Sequence, residues 1–472
     1  MDSLPPSPAL PLPLPKPPVT AKPRGQLATF LVLQRNPLEL WGHGAYHTVG
    51  IIPGRFMGRE QLLLTAPEAI RHVLVDNPGT YGRNPATKRV LQPILGQGLF
   101  LAEGKAWRHQ RRTIAPSFVP RTMALLARHV VTASETTEAR LDAAANQPTE
   151  LLPMLQQLAL DIAGQSMFSL EMQQFGQTLR GMLMRYAQHH ARPGLLDLML
   201  PGSTPSLGDL RRARFRRQWL QLLDRMIDAR TQAGATEAGA SEAGATEADA
   251  ARDLFDLLAA ARDPETGAGF DHAQLRDEVA TMILAGHETT AVTLFWACYL
   301  AACLPAQAAR VAEEAAAVDL SPSGAAAAIK QLPVTRAFID EALRLYPPAF
   351  LIVRQAMTPD RIGERTVAAG TVVSISPWLL HRHHTFWDAP DEFRLERFLP
   401  GAPPPSRFTY LPFGAGPRVC VGAQFALTEA VIVLARLLRR FHLSLSGRGT
   451  VIPVGIVTTQ PDRPVRFLLT PR

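Results

Sequence analysis

Phe413-Gly414-Ala415-Gly416-Pro417-Arg418-Val419-Cys420-Val421-Gly422, running straight into an apolar segment, is the stretch on which the reading of this chain turns. Its glycines let the backbone come close to a flat ligand, while Pro417 and Arg418 set the loop's direction and supply a fixed cation. Beyond it, Phe425, Ala426, Ala430, Val433, Leu434 and Leu437 recur at helical spacing up to Arg439-Arg440. A sulfur at the positive end of that helix is expected to titrate low and persist as a thiolate, the form that binds metals.

Phe413, Gly416, Arg418, Cys420 and Gly422 reproduce, in order and spacing, Phe-x-x-Gly-x-Arg-x-Cys-x-Gly, and the stretch resembles the haem-binding loop of the cytochrome P450 family. The resemblance implies that Cys420 is the proximal thiolate ligand of haem iron, that Arg418 pairs with a haem propionate, and that Phe413 and Gly414 belong to the cofactor-binding loop. Thiolate ligation pushes electron density onto iron and favours cleavage of the O–O bond.

With 472 residues, 46% of them apolar and 19% charged, the chain can bury a substantial core, and no composition break divides it. One large domain, 25–472, around a cofactor is the expectation. The net charge of +8 does not point to nucleic acid, because the arginines are scattered through apolar helical patterns; a basic face suits an acidic electron-donor protein. Cys298, Cys303 and Cys420 form no disulfide framework, so a reducing cytoplasm is expected. Residues 1–24 are proline-rich and expected to be extended or disordered. Prolines interrupt every apolar run there, so neither a signal peptide nor a transmembrane segment is expected.

Val49–Phe56 and Gln61–Thr65 flank a Gly58-Arg59 turn and read as a hairpin, followed by a helix from Pro67 to about Val75. Tyr81–Phe100, punctuated by glycine and proline, reads as a loop, and by the resemblance lies over the distal side of the haem. Trp107 and Arg111 stand four apart on one helical face, where an indole N–H beside a guanidinium makes a carboxylate receptor. Their spacing is similar to the family's Trp-x-x-x-Arg, which implies a grip on the haem propionates. Residues 120–230 read as helical with a break at 193–202, either a substrate-entry lid or a packed loop. Arg211–Arg217 reads as a solvated face. Gly-Ala-Thr-Glu-Ala, Gly-Ala-Ser-Glu-Ala and a second Gly-Ala-Thr-Glu-Ala follow one another, predicting a flexible loop over 233–250.

Asp277–Leu304 is a long apolar helix interrupted once, by Ala285-Gly286-His287-Glu288-Thr289-Thr290. A buried acid and hydroxyl need partners or a purpose; small residues at Ala285 and Gly286 admit a planar cofactor, and a threonine bonding back to its own helix loosens it. The order resembles the family's (Ala/Gly)-Gly-x-(Asp/Glu)-Thr, implying that Thr289 and Glu288 are the catalytic pair that carries protons to dioxygen. No role attaches to His287.

Glu341 and Arg344 match the family's Glu-x-x-Arg, and Arg397 is the candidate third member of their charge network; Leu395 stands where the family commonly has proline. Ala349–Arg354 reads as a strand, with Arg354 at a further propionate-binding position by the resemblance, and Val454–Thr459 as a strand turn bringing Ile456 and Val457 to the pocket. The whole is identified as a mainly α protein with a small β region and the cytochrome P450 fold. The resemblance implies one haem b and insertion of one atom of O2 into a hydrophobic small-molecule substrate. With no fused redox domain, it implies electrons from a separate ferredoxin or flavodoxin-type donor with its NAD(P)H reductase. Alternatives are a peroxide-driven or rearrangement haem-thiolate enzyme, or a haem-based sensor.

Overall fold

The computed structural model describes residues 14–21, 24–168, 175–199, 204–238, 253–447 and 449–472. Everything is arranged about one central helix, His272–Cys303, whose 32 residues span about 48 Å at 1.5 Å per residue. It starts at a reciprocal cap: the Asp271 carboxylate accepts from the Gln274 amide at 2.8 Å, and the Gln274 side chain accepts from the Asp271 amide at 3.0 Å. From Ala291 to Ala301 it is almost wholly apolar and buried all round, wrapped by the helices Leu151–Phe168, Pro333–Leu345 and Ala423–Arg440. Trp296 fixes the packing by stacking on Tyr346, ring centroids 4.1 Å apart, and donating Nε1–H to the Thr459 carbonyl at 2.7 Å.

The β region is small. Five strands lie in the spatial order Ile51–Phe56, Arg59–Leu64, Val372–Ile375, Ile352–Ala356, Tyr81–Gly82, with one parallel pairing, between the second and third. The predicted hairpin forms, closing through Met57 and Gly58 at positive φ. Arg354 pairs across to Val373, and Pro453–Gly455 turns back onto Thr459–Pro461, as the pattern predicts.

Several readings change. Tyr81–Phe100 contains a helix, Pro85–Leu95, opened by Asn84, whose side chain accepts from the Ala86 amide at 2.9 Å with Pro85 at the first turn. Asparagine and proline there are helix-start signals and not merely breakers. The break at 193–202 carries a short helix, Leu195–Met199, pinned because Asp197 takes both Arg212 Nη2 at 2.5 Å and Arg212 Nη1 at 3.0 Å. Arg212 is therefore buried and not part of a solvated face. Residues 233–238 of the repeat continue the helix Leu207–Ala238, and 239–252 lie outside the described residues. In the proline-rich segment, residues 14–20 run without helix or strand along the body, where Pro15 accepts from the Tyr346 hydroxyl at 3.0 Å and Lys16 pairs with Asp391 at 2.5 Å. A polyproline-like chain leaves its carbonyls free for such bonds.

Under the cysteine loop lies the charge network. Glu341 and Arg344 are both fully buried and joined by two bonds of 2.6 and 2.8 Å; Arg397 adds a third contact to Glu341 at 3.3 Å. Arg344 also donates to the carbonyls of His381, Pro390 and Glu392, and Arg397 to those of Asp388 and Ala389. Leu395 sits fully buried in the turn Leu395–Arg397, so the missing proline is replaced by packing. His381 then reaches the loop itself, its Nε2 accepting from the Leu411 amide at 2.8 Å. On the other side Gly416, at φ +74°, lies so close to the widened helical turn His72–Asp76 that a Cβ would stand 2.0 Å from the Leu74 carbonyl oxygen.

Two outcomes follow for denaturant unfolding. Glu341→Gln leaves buried guanidinium charge uncompensated and should cost about 3–5 kcal/mol. Gly416→Ala meets both a left-handed backbone and an immovable carbonyl, and should cost about 2 kcal/mol or more; an unchanged midpoint in either variant contradicts this account of how the loop is held.

Candidate active site

Between the central helix and the cysteine loop lies a cavity of about 1090 Å3. Phe413, Gly414, Ala415, Arg418, Cys420 and Phe425 border it on one side, and Ala285, Gly286, Glu288 and Thr289 on the other. The loop closes on itself, the Cys420 amide donating to the Phe413 carbonyl at 3.0 Å and the Gly414 amide to Leu411 at 3.2 Å. The Cys420 sulfur is thereby left open to the cavity while lying deep in the protein.

That depth overturns the expectation of a low thiol pKa. Burial pushes the Cys420 thiol up, and the Gly422 amide and the Arg111 guanidinium only partly oppose it. The helix proper begins at Ala423, so its dipole reaches the sulfur through one amide and loses to desolvation. Coordination by a metal deprotonates a thiol outright, so a metal-ligating role for this sulfur would not depend on a low thiol pKa.

Cations crowd one flank. Arg418 donates Nη1–H to the Ala102 carbonyl at 3.0 Å and lies 4.6 Å over the Trp107 ring. Arg354 donates to its neighbour's carbonyl, Val353, at 3.0 Å. Arg111 lines the same cavity, as does Arg83, a residue with no motif around it, stacked 4.3 Å from the Phe100 ring with its Nε–H buried and unbonded. Burial and mutual repulsion lower Arg83 well below the ordinary guanidinium range and Arg354 to about 10. Glu103 is the acid that acts on Arg83, Arg354 and Arg418, and it is engaged by Lys88 and the Arg83 amide. Such a cluster calls for carboxylates from outside the chain, and a macrocycle bearing two propionates meets that demand. Trp107 and Arg111 both border the cavity, and the indole lies under Arg418. Arg83 enters because the strand Tyr81–Gly82 pairs with Gln355–Ala356, which sequence spacing does not reveal.

On the opposite wall Thr289 donates its hydroxyl to the Ala285 carbonyl at 2.5 Å, and Thr293 to the Thr289 carbonyl at 2.8 Å, so this stretch bonds back on itself as predicted. A Cβ on Gly286 would meet nothing within 4 Å, which leaves room beside the helix for a flat ligand. The Glu288 carboxyl accepts from Gln460 Nε2 at 2.5 Å and Gln156 Nε2 at 3.4 Å, and burial pushes it up to about 7. His287 is buried with neither ring nitrogen bonded, Nδ1 standing 3.8 Å from Glu288 Oε2, and burial lowers it to about 4. A further acid, Glu429 of the helix Ala423–Arg440, borders the cavity with Thr290 as its hydrogen-bond partner at 3.3 Å; burial pushes it up to about 8. Leu198 of the pinned short helix also lines the cavity, beside Leu95, Leu99, Phe350, Ile456 and Val457.

Among the described residues no single helix is long and apolar enough to cross a membrane; the bent pair His272–Cys303 and Pro305–Ala316 reaches that composition only together, and the first of these is the buried central helix.

The sequence model of the cytochrome P450 family matches residues 45–463. Among characterised relatives, the chain is 30% identical over 426 residues to cyclooctat-9-en-7-ol 5-monooxygenase of Streptomyces melanosporofaciens, covering 88% of this chain and 87% of that one. It is 31% identical over 424 residues to a cytokinin hydroxylase of Arabidopsis thaliana, covering 87% and 79%. With the chloroplastic cytochrome P450 97B2 of Glycine max it shares 31% over 472 aligned positions, covering 88% and 78%. The crystal structure of the cytochrome P450DA haem domain superposes over 98% of both chains with a TM-score of 0.76 at 23% identity, a likeness of fold. A family match across nearly the whole length stands beside an open sulfur at the floor of the cavity and a cluster of cations on its flank: the chain belongs to the cytochrome P450 family of haem-dependent oxidoreductases.

Proposed function

We propose that the protein is a haem b monooxygenase of the cytoplasm that inserts one oxygen atom from O2 into a hydrophobic small molecule. Electrons come from a separate ferredoxin or flavodoxin-type protein and its NAD(P)H reductase. The observation that carries the reading is the pairing of the open Cys420 sulfur with Glu288 and Thr289 across one apolar cavity. Haem held there supplies dioxygen binding and activation. Cys420 would ligate its iron, Arg418, Arg354, Arg83 and Arg111 would take its propionates with Trp107 stacked beneath Arg418, and Phe413 and Gly414 would lie against its face. Leu95, Leu99, Phe350, Ile456 and Val457 exclude water and favour an apolar substrate.

Glu288 carries a proton whose release is balanced near neutrality, which suits a relay group. Thr289 keeps its hydroxyl at the cavity wall by bonding to Ala285, a bond it can exchange for one to a ligand. The net charge of +8 favours encounter with an acidic donor protein. Relatives named as a hydroxylase and a monooxygenase support the reaction class.

Loaded with haem and given a ferredoxin system, the protein should consume NADPH and O2 in step with an apolar substrate found by spectral titration. Turnover with peroxide alone, equal in rate and without any donor, contradicts the proposal. Because Glu288 ionises near 7, the fraction of electrons ending in product should fall as pH rises through that value. In Glu288→Gln the inflection should vanish and product fall by about 10–100-fold, the span of one general acid; an unchanged pH profile removes Glu288 from the relay.

A further inference from the structure

Where the extended segment 14–20 crosses the body it roofs a second cavity, of about 370 Å3, that shares no lining residue with the first. Its floor is Arg382, only 4% exposed. The guanidinium stacks 3.7 Å from the Trp378 ring centroid and 5.5 Å from that of Tyr346. Among the described residues nothing accepts its hydrogen bonds: Nε and Nη1 are buried without a partner. Asp391 Oδ1 stands 3.8 Å from Nε, and the other oxygen of that carboxylate is bonded to Lys16 of the roof at 2.5 Å.

This is unlike the fold's other deeply buried arginines. Arg344 holds Glu341, Arg212 holds Asp197, Arg230 holds Asp253 and Arg436 holds Glu138, each at hydrogen-bond distance. Arg354 and Arg83, which among the described residues hold no carboxylate either, face the main cavity, where the cofactor's carboxylates are expected. A guanidinium with five donors and no acceptor is costly to bury, and an acceptor from outside the chain removes the cost.

We infer that this pocket binds a small monocarboxylate, its carboxylate on Arg382 and its apolar body against Pro17, Pro18 and Val19. The volume suits a short or single-ring acid. One negative charge is the right number, since Arg382 and Lys16 outweigh Asp391 by one, and a phosphate dianion would face Asp391 with a second.

The test uses holoenzyme with the main cavity filled by 4-phenylimidazole and follows 4-fluorobenzoate by 19F NMR, with 4-fluorobenzamide as the neutral isostere and inorganic phosphate as the dianion. Saturable one-to-one binding of the acid is expected, without binding of the amide. Arg382→Gln should weaken it by about tenfold or more through loss of a charge-assisted pair. Asp391→Asn, which removes the competing anion and leaves the stack on Trp378 intact, should tighten it by about threefold; it decides the question if Arg382→Gln does not fold. No saturable binding to the wild-type chain, equal binding of the amide, or weaker binding in Asp391→Asn overturns the site. Phosphate binding more tightly than the acid overturns its assignment to monocarboxylates.

Discussion

A sulfur atom has to stand free at the floor of an apolar cavity, and most of the polar bonding beneath that floor serves to keep it there. The loop carrying Cys420 closes through a few short backbone bonds of its own and is anchored from outside. Gly416 is wedged under the Leu74 carbonyl, Leu411 donates its amide N–H to the His381 imidazole, and the His381 carbonyl in turn accepts from Arg344. The fully buried Glu341–Arg344 pair is thus a positioning device. As a source of stability such a pair is close to neutral, but breaking it leaves a bare charge in the core. The direction of dependence is clear: the ion pair orders the meander segment from Asp388 to Arg397, the meander and His381 order the loop, and the loop presents the sulfur.

The opposite wall obeys a different constraint. The central helix must stay close-packed where it meets the core and yet leave space beside the cavity. It does both by changing composition, from large buried residues after Val292 to Ala285, Gly286 and Thr289 where space is needed. Three carboxyls near this region, on Glu278, Glu288 and Glu429, are all raised by burial, to about 8, 7 and 8. Since each binds its proton more tightly folded than unfolded, each subtracts stability as pH climbs from the ordinary carboxyl range of about 4.3 toward those values. Such groups persist in a core where they have something to do. Glu278 accepts the Leu99 amide and Asp277 the Gln97 amide, so the segment closing the cavity's rim is bonded to two successive acids of the central helix.

How much of this was legible in the sequence follows from the range of each interaction. The cysteine loop, Glu288 with Thr289, and Glu341 with Arg344 are set by spacing within one turn or one loop, and the structure places each at the cavity or beneath it. Arg397, reached through a longer segment, also lands on Glu341. What could not be read was pairing between distant segments. Arg83 joins the cation cluster through a two-residue edge strand, Asp197 pins a loop by holding Arg212, and the proline-rich segment docks by carbonyls that carry no side-chain signature. The thiol's titration was misread for a related reason: the helix dipole is local and visible in sequence, whereas burial, which wins, belongs to the whole fold.

The most direct measurement of the central claim is the absorption spectrum of the purified, haem-loaded protein, reduced and exposed to carbon monoxide. The account predicts the red-shifted band characteristic of sulfur-ligated iron, and its disappearance in Cys420→Ala with the protein still folded. A spectrum of nitrogen-ligated haem in the wild-type chain, or the same red-shifted band surviving Cys420→Ala, would contradict it.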